Sequence, residues 1–191
     1  NGKSKSIASA AALVAFMSFV SRLVGLLRDR TLAGEFGAGD VLDVYYAAFR
    51  VPDLTFTLLV TGALSASFIP LFSKRLLSVS RRRTAWRLTN SILNILGIAF
   101  LIIAIAGIIF ADPLASLIAP GFNEYKQGIV ASFMRVMFIS NFLLGLSTVF
   151  GSALQGLKRF FLFSLAPVFY NIGIIIGVVF FVDWFGTIGL A

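Results

Sequence analysis

The feature that most constrains this chain is a series of long apolar runs, each near 20 residues, separated by short polar connectors. A helix needs about 20 largely apolar residues to cross the hydrocarbon core of a bilayer. The chain is 59% hydrophobic and 13% charged, whereas soluble domains are about 25% charged. The sequence lacks the alternation of apolar and polar residues that is typical of strands. It therefore predicts an all-α, polytopic transmembrane helix bundle.

The apolar runs divide residues 1–191 into five complete transmembrane helices. The second run is long and contains Pro52, which predicts a kink or a break. The stretch "ADPLASLIAPGFNEYKQG" is rich in turn residues and predicts a short interfacial element. The first residue is Asn and the last residues are apolar, which is typical of a fragment of a longer protein. The predicted spans are 7–27, 41–72, 88–111, 128–157 and 160–182, and a sixth helix is predicted to begin over 186–191.

The amino-acid composition excludes several classes of chemistry. The sequence contains no Cys and no His, so it has no disulfides, no Cys-based metal sites and no His catalysis. We therefore expect no enzyme, no catalytic residue, no metal site and no cofactor. The net charge of +8 would suggest nucleic acid for a soluble protein. Here the basic residues form short clusters between apolar runs, which is typical of membrane topology, and no nucleic-acid partner is expected.

The distribution of Lys and Arg predicts the orientation of the chain. Cytoplasmic loops of membrane proteins carry an excess of basic residues. The N-terminus, the second-to-third connector and the fourth-to-fifth connector hold ten of the sixteen basic residues, whereas the opposite connectors are mainly acidic. A cytoplasmic N-terminus and cytoplasmic basic connectors follow. The cluster "RRRTAWR" is either a topology determinant or a site for anionic lipid or a partner, and both interpretations stay open.

The first span carries charges that topology does not explain. A charge at the bilayer centre costs about 3 kcal/mol on insertion scales. Ser18, Arg22, Gly25 and Asp29 share one helical face, and Arg28 lies beside it. Gly25 leaves space where a ligand or another helix can approach closely. The interpretation is a supporting or gating role for Ser18, Gly25 and Asp29 around the two arginines.

The second span carries a polar stripe on one face. Arg50 can reach Tyr46 or Asp53 on the same face, and Asp43 and Asp53 are expected to have supporting or gating roles. One hypothesis is that these charges form structural ion pairs. The other is that Arg22, Arg28 and Arg50 bind a phosphorylated ligand, because the guanidinium fork donates two hydrogen bonds to phosphate and keeps its charge. Arg135 either joins that site or anchors at the outer headgroups. The stripe consists of Asp43, Tyr46, Arg50, Asp53, Thr57 and Thr61.

An ordered set of short motifs gives the chain a resemblance to a known family. The patterns are S-R-x-x-G-x-x-R-D, F-G-A-G-x-x-x-D, A-F-[basic]-x-P-[Asn/Asp] and G-A-[apolar]-S-x-x-F-[apolar]-P. Together they resemble the MurJ (MviN) family, proposed lipid II flippases of bacterial cell-wall synthesis. They stand here at Ser21–Asp29, Phe36–Asp43, Ala48–Asp53 and Gly62–Pro70, and "APGF" at Ala119–Phe122 and "GSALQGLKRF" at Gly151–Phe160 also fit.

The resemblance implies a two-lobed exporter-type transporter of the multidrug/oligosaccharidyl-lipid/polysaccharide exporter superfamily, of which this chain is the amino-terminal lobe. It implies that lipid II is flipped from the cytoplasmic to the periplasmic leaflet by alternating access, with cell-wall synthesis proteins as partners and membrane lipids as surroundings. By motif position, Arg22, Arg28 and Arg50 would line a cationic cavity that holds the diphosphate. One departure is that Thr55, Phe56, Thr57 and Thr61 stand where family members often carry a basic pair and an acid.

Two other functions remain compatible with the residues. The chain could belong to an exporter of another polyprenyl-linked saccharide, or it could be a non-transporting scaffold subunit whose charges form assembly pairs. A drug exporter for cations would be expected to place acids in its cavity, and the arginine excess argues against it.

Overall fold

The computed structural model describes residues 2–37, 39–60 and 82–190. Every regular element in those ranges is helical, as the sequence predicts. The longer helices in those ranges are α1 Gly2–Phe36, α2 Asp40–Leu59, α3 Arg82–Ile109, α4 Ala111–Ile118, α5 Glu124–Gly156 and α6 Phe160–Ile176. A π-helical segment Gly177–Phe181, the short helix α7 Val182–Phe185 and a 3₁₀ turn Gly186–Leu190 follow α6.

The helix bounds differ from the predicted spans mainly where a helix extends beyond the membrane-length apolar run. α1 continues through the charged stretch to Phe36. Gly37 ends it at φ +64°, with its amide donating to the Ala33 carbonyl oxygen at 3.0 Å, because glycine adopts the left-handed conformation that closes a helix. α2 runs through Pro52 without interruption. The predicted remainder of the second span, 61–72, lies outside the described residues.

Four segments in the described part of the chain are long and apolar enough to cross a membrane. They are Ser9–Phe36, Asn90–Ile109, Glu124–Gln155 and Phe160–Leu190. α2 is not among them, since its 20 residues carry four charges, of which Asp40 and Asp43 lie in its first turn. Acidic residues there favour helix initiation because they face the positive end of the helix dipole.

The described residues form two compact units. The first contains Asn1–Gly37 and Leu154–Leu190, in which α1 packs along α6. The second contains Ala38–Ala153, and its buried core is formed by α2, α3, α4 and α5. The core side chains of the second unit with the lowest exposure include Val130, Ala131, Phe133, Met134 and Val149.

The packing of α3 against α5 depends on reciprocal glycine–phenylalanine contacts. The ring of Phe100 in α3 lies on Gly145 of α5, and the ring of Phe138 in α5 lies on Gly107 of α3. Because the later contact on one helix matches the earlier contact on the other, the two helices run antiparallel. Small residues let helix backbones approach closely where lipid gives no hydrophobic drive for helix association.

The connector before α5 is fixed by side-chain hydrogen bonds. The amide of Lys126 donates to Asn123 Oδ1 at 2.9 Å, which is the geometry of an N-cap. Gln127 Nε2 donates to the carbonyl oxygens of Ala119 and Phe122 at 3.0 and 3.1 Å. These bonds satisfy backbone groups that the turn leaves without helical partners.

Candidate functional site

The charged end of α1 remains helical, so its ionisable side chains occupy fixed positions on a continuous helix. Arg28 donates from Nε at 3.0 Å and from Nη2 at 2.7 Å to Asp29 Oδ1. The side chain of Arg28 is 27% exposed and that of Asp29 is 52% exposed. Asp29 therefore pairs with its neighbour Arg28, although the face assignment placed Asp29 with Arg22.

A second contact holds Arg28 from the opposite helix of its unit. Arg28 Nη1 donates to Asn171 Oδ1 of α6 at 2.8 Å. Asn171 is 8% exposed, and its Nδ2 donates to the Pro167 carbonyl oxygen at 2.9 Å. The same Nδ2 lies 3.4 Å from both the carbonyl oxygen and Oγ of Ser21. One amide side chain thus links two turns of α1 to the middle of α6.

Gly25 lies beneath this amide. A Cβ at position 25 would stand 3.7 Å from Nδ2 and Oδ1 of Asn171. The space that Gly25 leaves is therefore occupied by a side chain of α6 rather than open. Ser18, two turns before Gly25, donates its hydroxyl to the Val14 carbonyl oxygen at 2.8 Å, so its hydrogen-bonding need is met within α1.

The contact with Asn171 gives the position of Arg28 along α6. Asn171 follows Phe160, the first residue of α6, by 11 residues, which is about 17 Å along a helix axis. Arg28 therefore lies beside the interior of the membrane-length apolar segment Phe160–Leu190 rather than beside its first turns. Ionisable groups within such segments are rare and are by default candidates for function.

Arg22 has an exposed side chain, and no ion pair joins it to Asp29 or to another acid in the described residues. Arg30 is exposed on the same helix. The ion-pair interpretation of Arg22 therefore finds no partner in the part of the chain that the structure describes. Its guanidinium keeps all its donors available to groups beyond those residues.

The polar stripe of α2 belongs to the second unit and faces outward from it. Tyr46 is 51% exposed, and Arg50 makes no ion pair with Asp43 or Asp53 within the described ranges. Pro52 and Ala48 lie buried on the other side of the helix. The exposed members of the stripe are Asp43, Tyr46, Arg50, Asp53 and Thr57, and Thr61 lies outside the described residues.

Two ion pairs in the second unit join residues of the acidic connectors. Lys126 Nζ lies 2.6 Å from Asp40 Oδ1 and links the start of α5 to the start of α2. Arg135 Nη2 lies 2.6 Å from Asp112 Oδ2, and Arg135 Nε donates to the Ile108 carbonyl oxygen at 3.4 Å. Arg135 thus has an acidic partner on α4, which neither sequence-based hypothesis for it included.

Sequence reasoning missed Asn171 as a site residue. The available signal was an amide side chain inside the apolar stretch from Phe160 to Val182. A buried amide at membrane depth requires hydrogen-bond partners, because water is absent there. Periodicity within α6 indicates the face on which Asn171 lies, but it does not indicate that Arg28, 143 positions earlier, is the partner.

Comparison with known proteins finds similar proteins that share the name lipid II flippase MurJ. A protein of Buchnera aphidicola from Schizaphis graminum, named "Probable lipid II flippase MurJ", is 32% identical over 177 residues, covering 90% of this chain and 34% of the relative. One of Thermotoga maritima with the same name is 31% identical, covering 85% of this chain and 34% of the relative. "Lipid II flippase MurJ" of Burkholderia cenocepacia is 29% identical, covering 87% and 33%.

The chain spans about a third of the length of these relatives. An alignment that covers 90% of 191 residues leaves a tenth of the chain outside it, so it includes Arg22 and Arg28. The family model described as "Lipid II flippase MurJ" matches residues 32–191. That match extends over most of the chain, and the chain therefore belongs to the lipid II flippase MurJ family.

Proposed function

We propose that this chain is the amino-terminal lobe of a two-lobed lipid II flippase in the bacterial plasma membrane, with its N-terminus in the cytoplasm. The complete protein moves lipid II from the cytoplasmic to the periplasmic leaflet by alternating access. Family membership supports the activity, and the four membrane-length apolar helices support the location. The cytoplasmic N-terminus follows from the basic connectors.

In this proposal the arginines hold the diphosphate of the substrate. The observation that carries it is Arg28, whose guanidinium lies beside α6 and is held by Asp29 and Asn171. Arg22 and Arg50 are exposed on helices of the two units. Phosphate is the ligand class that the planar guanidinium fork binds best.

The carboxylates have supporting roles in the same proposal. Asp29 orients Arg28 through two hydrogen bonds to one carboxylate oxygen. Asp43 and Asp53, exposed on the α2 stripe, form gate ion pairs that break as the lobes move. Ser18 and Gly25 support the local packing of α1, with Gly25 providing the surface on which Asn171 lies.

The test is complementation by the full-length protein in a bacterium depleted of its own flippase. We expect Arg22→Ala and Arg28→Ala each to abolish growth while membrane levels stay normal, because each removes a positive charge aimed at the substrate. Arg30→Ala is the matched control, two positions along the same helix, and it should support growth. Normal growth from both Arg22→Ala and Arg28→Ala would contradict the phosphate-binding role.

An exchange of charges separates ligand binding from assembly. The structure pairs Asp29 with Arg28, so the informative variant is Arg28→Asp combined with Asp29→Arg. A scaffold subunit that only needs the pair should regain function in the double variant. A flippase should not, because the guanidinium then leaves the position that Asn171 holds.

A further inference from the structure

The side chain of Asn171 makes contacts beyond those needed to pack two helices. It accepts from Arg28 through Oδ1 at 2.8 Å and donates through Nδ2 to Pro167 and Ser21. Asn171 is 8% exposed, so its own amide group depends on these protein partners rather than on water. The amide therefore fixes its own rotamer on α6 while it constrains a side chain on α1.

The contacts of Arg28 leave part of its guanidinium available. An arginine side chain has five N–H donors. Nε and Nη2 each use one donor on Asp29, and Nη1 uses one on Asn171. Among the described residues, one N–H on each terminal nitrogen is left without a partner. Two such donors on one planar group suit two oxygens of a phosphate.

We infer that Asn171 is a positioning residue that pre-orients Arg28 for an anionic, diphosphate-bearing lipid. This inference rests on the proposed function. Without Asn171, Arg28 would keep its contact with Asp29, which is half exposed, and its long side chain would sample other rotamers. Binding would then have to order the guanidinium, and the entropy lost in that step lowers affinity.

The neutrality of Asn171 is part of the assignment. A carboxylate at this position would also accept from Arg28, but it would place a second negative charge beside the guanidinium in addition to Asp29. The arginine would then face two carboxylates and would offer little net attraction to phosphate. An amide holds the arginine and leaves its charge available to the ligand.

The experiment measures binding of a polyprenyl diphosphate to the purified full-length protein in nanodiscs, with the uncharged polyprenol as the blank. Asn171→Leu, which keeps the volume and removes the polar groups, should weaken binding about tenfold, the factor expected for loss of one charge-assisted hydrogen bond. Ser164→Ala is the matched control, since Ser164 is buried on α6 with no hydrogen-bond partner in the described residues. It should bind as the parent protein does.

A double-variant cycle separates positioning from packing. If Asn171 acts through Arg28, Asn171→Leu should have no further effect on binding in an Arg28→Ala background. Full additivity of the two effects would overturn the inference, as would unchanged affinity in Asn171→Leu alone. A purely structural role would lower the melting temperature and leave the affinity of the folded fraction unchanged, which also overturns it.

A second variant keeps the test decisive if Asn171→Leu does not fold. Asn171→Asp preserves size and the acceptor for Arg28 but loses the Nδ2 donor to Pro167 and Ser21, so its diphosphate affinity is measured on the folded fraction and should fall at least as much. Parent-like affinity in Asn171→Asp would overturn the inference. If Arg22→Ala and Arg28→Ala also bind the diphosphate normally, the proposed function fails as well. If they lose binding and only the Asn171 variants keep it, the inference alone fails.

Discussion

At the scale of single residues, the charges of this chain differ in whether they have partners. Arg28, Lys126 and Arg135 each form an ion pair with an acid of their own unit. Arg22 and Arg50 form none within the described ranges. An ion pair therefore accounts for Arg135, whereas ligand binding by Arg22 and Arg50 stays a prediction. Arg28 combines both, since its pairing leaves donors available.

Because Arg135 pairs with Asp112, we expect substitution of Arg135 to have a small effect on stability. Arg135 is 37% exposed and Asp112 is 65% exposed at the side chain, and exposed pairs contribute about 0.2–1 kcal/mol. We expect Arg135→Ala to lower the melting temperature of the full-length protein slightly and to support growth. In a double-variant cycle with Asp112→Ala, the coupling energy should not exceed about 1 kcal/mol. Loss of growth with normal membrane levels would instead place Arg135 in the substrate site.

At the scale of elements, helix identity and helix packing depend on different information. The periodic apolar content of α1, α3, α5 and α6 predicts membrane helices before any contact is known. α2 is different because its polar stripe lowers its apolar content, and its structure shows one buried and one exposed face. The α3–α5 interface depends on which glycine meets which ring, and hydropathy carries no information on that pairing.

The glycine–phenylalanine contacts predict a specific steric effect. A Cβ on Gly145 would lie 2.5 Å from Cε2 of Phe100, closer than carbon atoms can approach. Gly145→Ala should therefore lower the melting temperature of the full-length protein, even though alanine is the better helix former by about 1 kcal/mol. Gly128→Ala, in the same helix and with no atom within 4 Å of its added Cβ, should be neutral or stabilising.

Replacement of Phe100 by a smaller side chain tests whether its contact with position 145 causes the effect. Phe100→Leu should partly restore the melting temperature in the Gly145→Ala background, while the same change alone should be destabilising, since Phe100 is buried in the core. If Gly145→Ala melts as the parent protein does, the close contact between the two helices is not formed in the membrane.

At the scale of the whole molecule, the sequence predicts the orientation of the chain in the membrane. Lys158 adopts φ 60° in the turn between α5 and α6, and Arg159 follows it. The other connectors are mainly acidic and include Asp40 and Asp112. Lys126 lies in one of them and pairs with Asp40. The positive-inside rule predicts that the turn at Lys158 and Arg159 lies in the cytoplasm and that the acidic connectors lie in the periplasm.

Cysteine labelling in intact cells checks this orientation. The 191 residues contain no cysteine, so an introduced cysteine is the reactive thiol of this portion once cysteines elsewhere in the full-length protein are replaced. A membrane-impermeant maleimide should label Glu124→Cys and should spare Lys158→Cys until the cells are permeabilised. Labelling of Lys158→Cys in intact cells would reverse the predicted topology.

The sequence by itself determined the all-helical class, and it predicted the spans and the candidate arginines, because hydropathy, helical periodicity and charge are properties of neighbouring residues. It also carried the motifs of the family. The tertiary structure alone decided that Asn171 holds Arg28, that Gly25 lies beneath that amide and that Arg135 pairs with Asp112. Helical periodicity fixes the face on which a side chain lies, but its partner comes from another helix. That choice depends on how α1 packs on α6 and how α4 packs on α5, which no local pattern encodes.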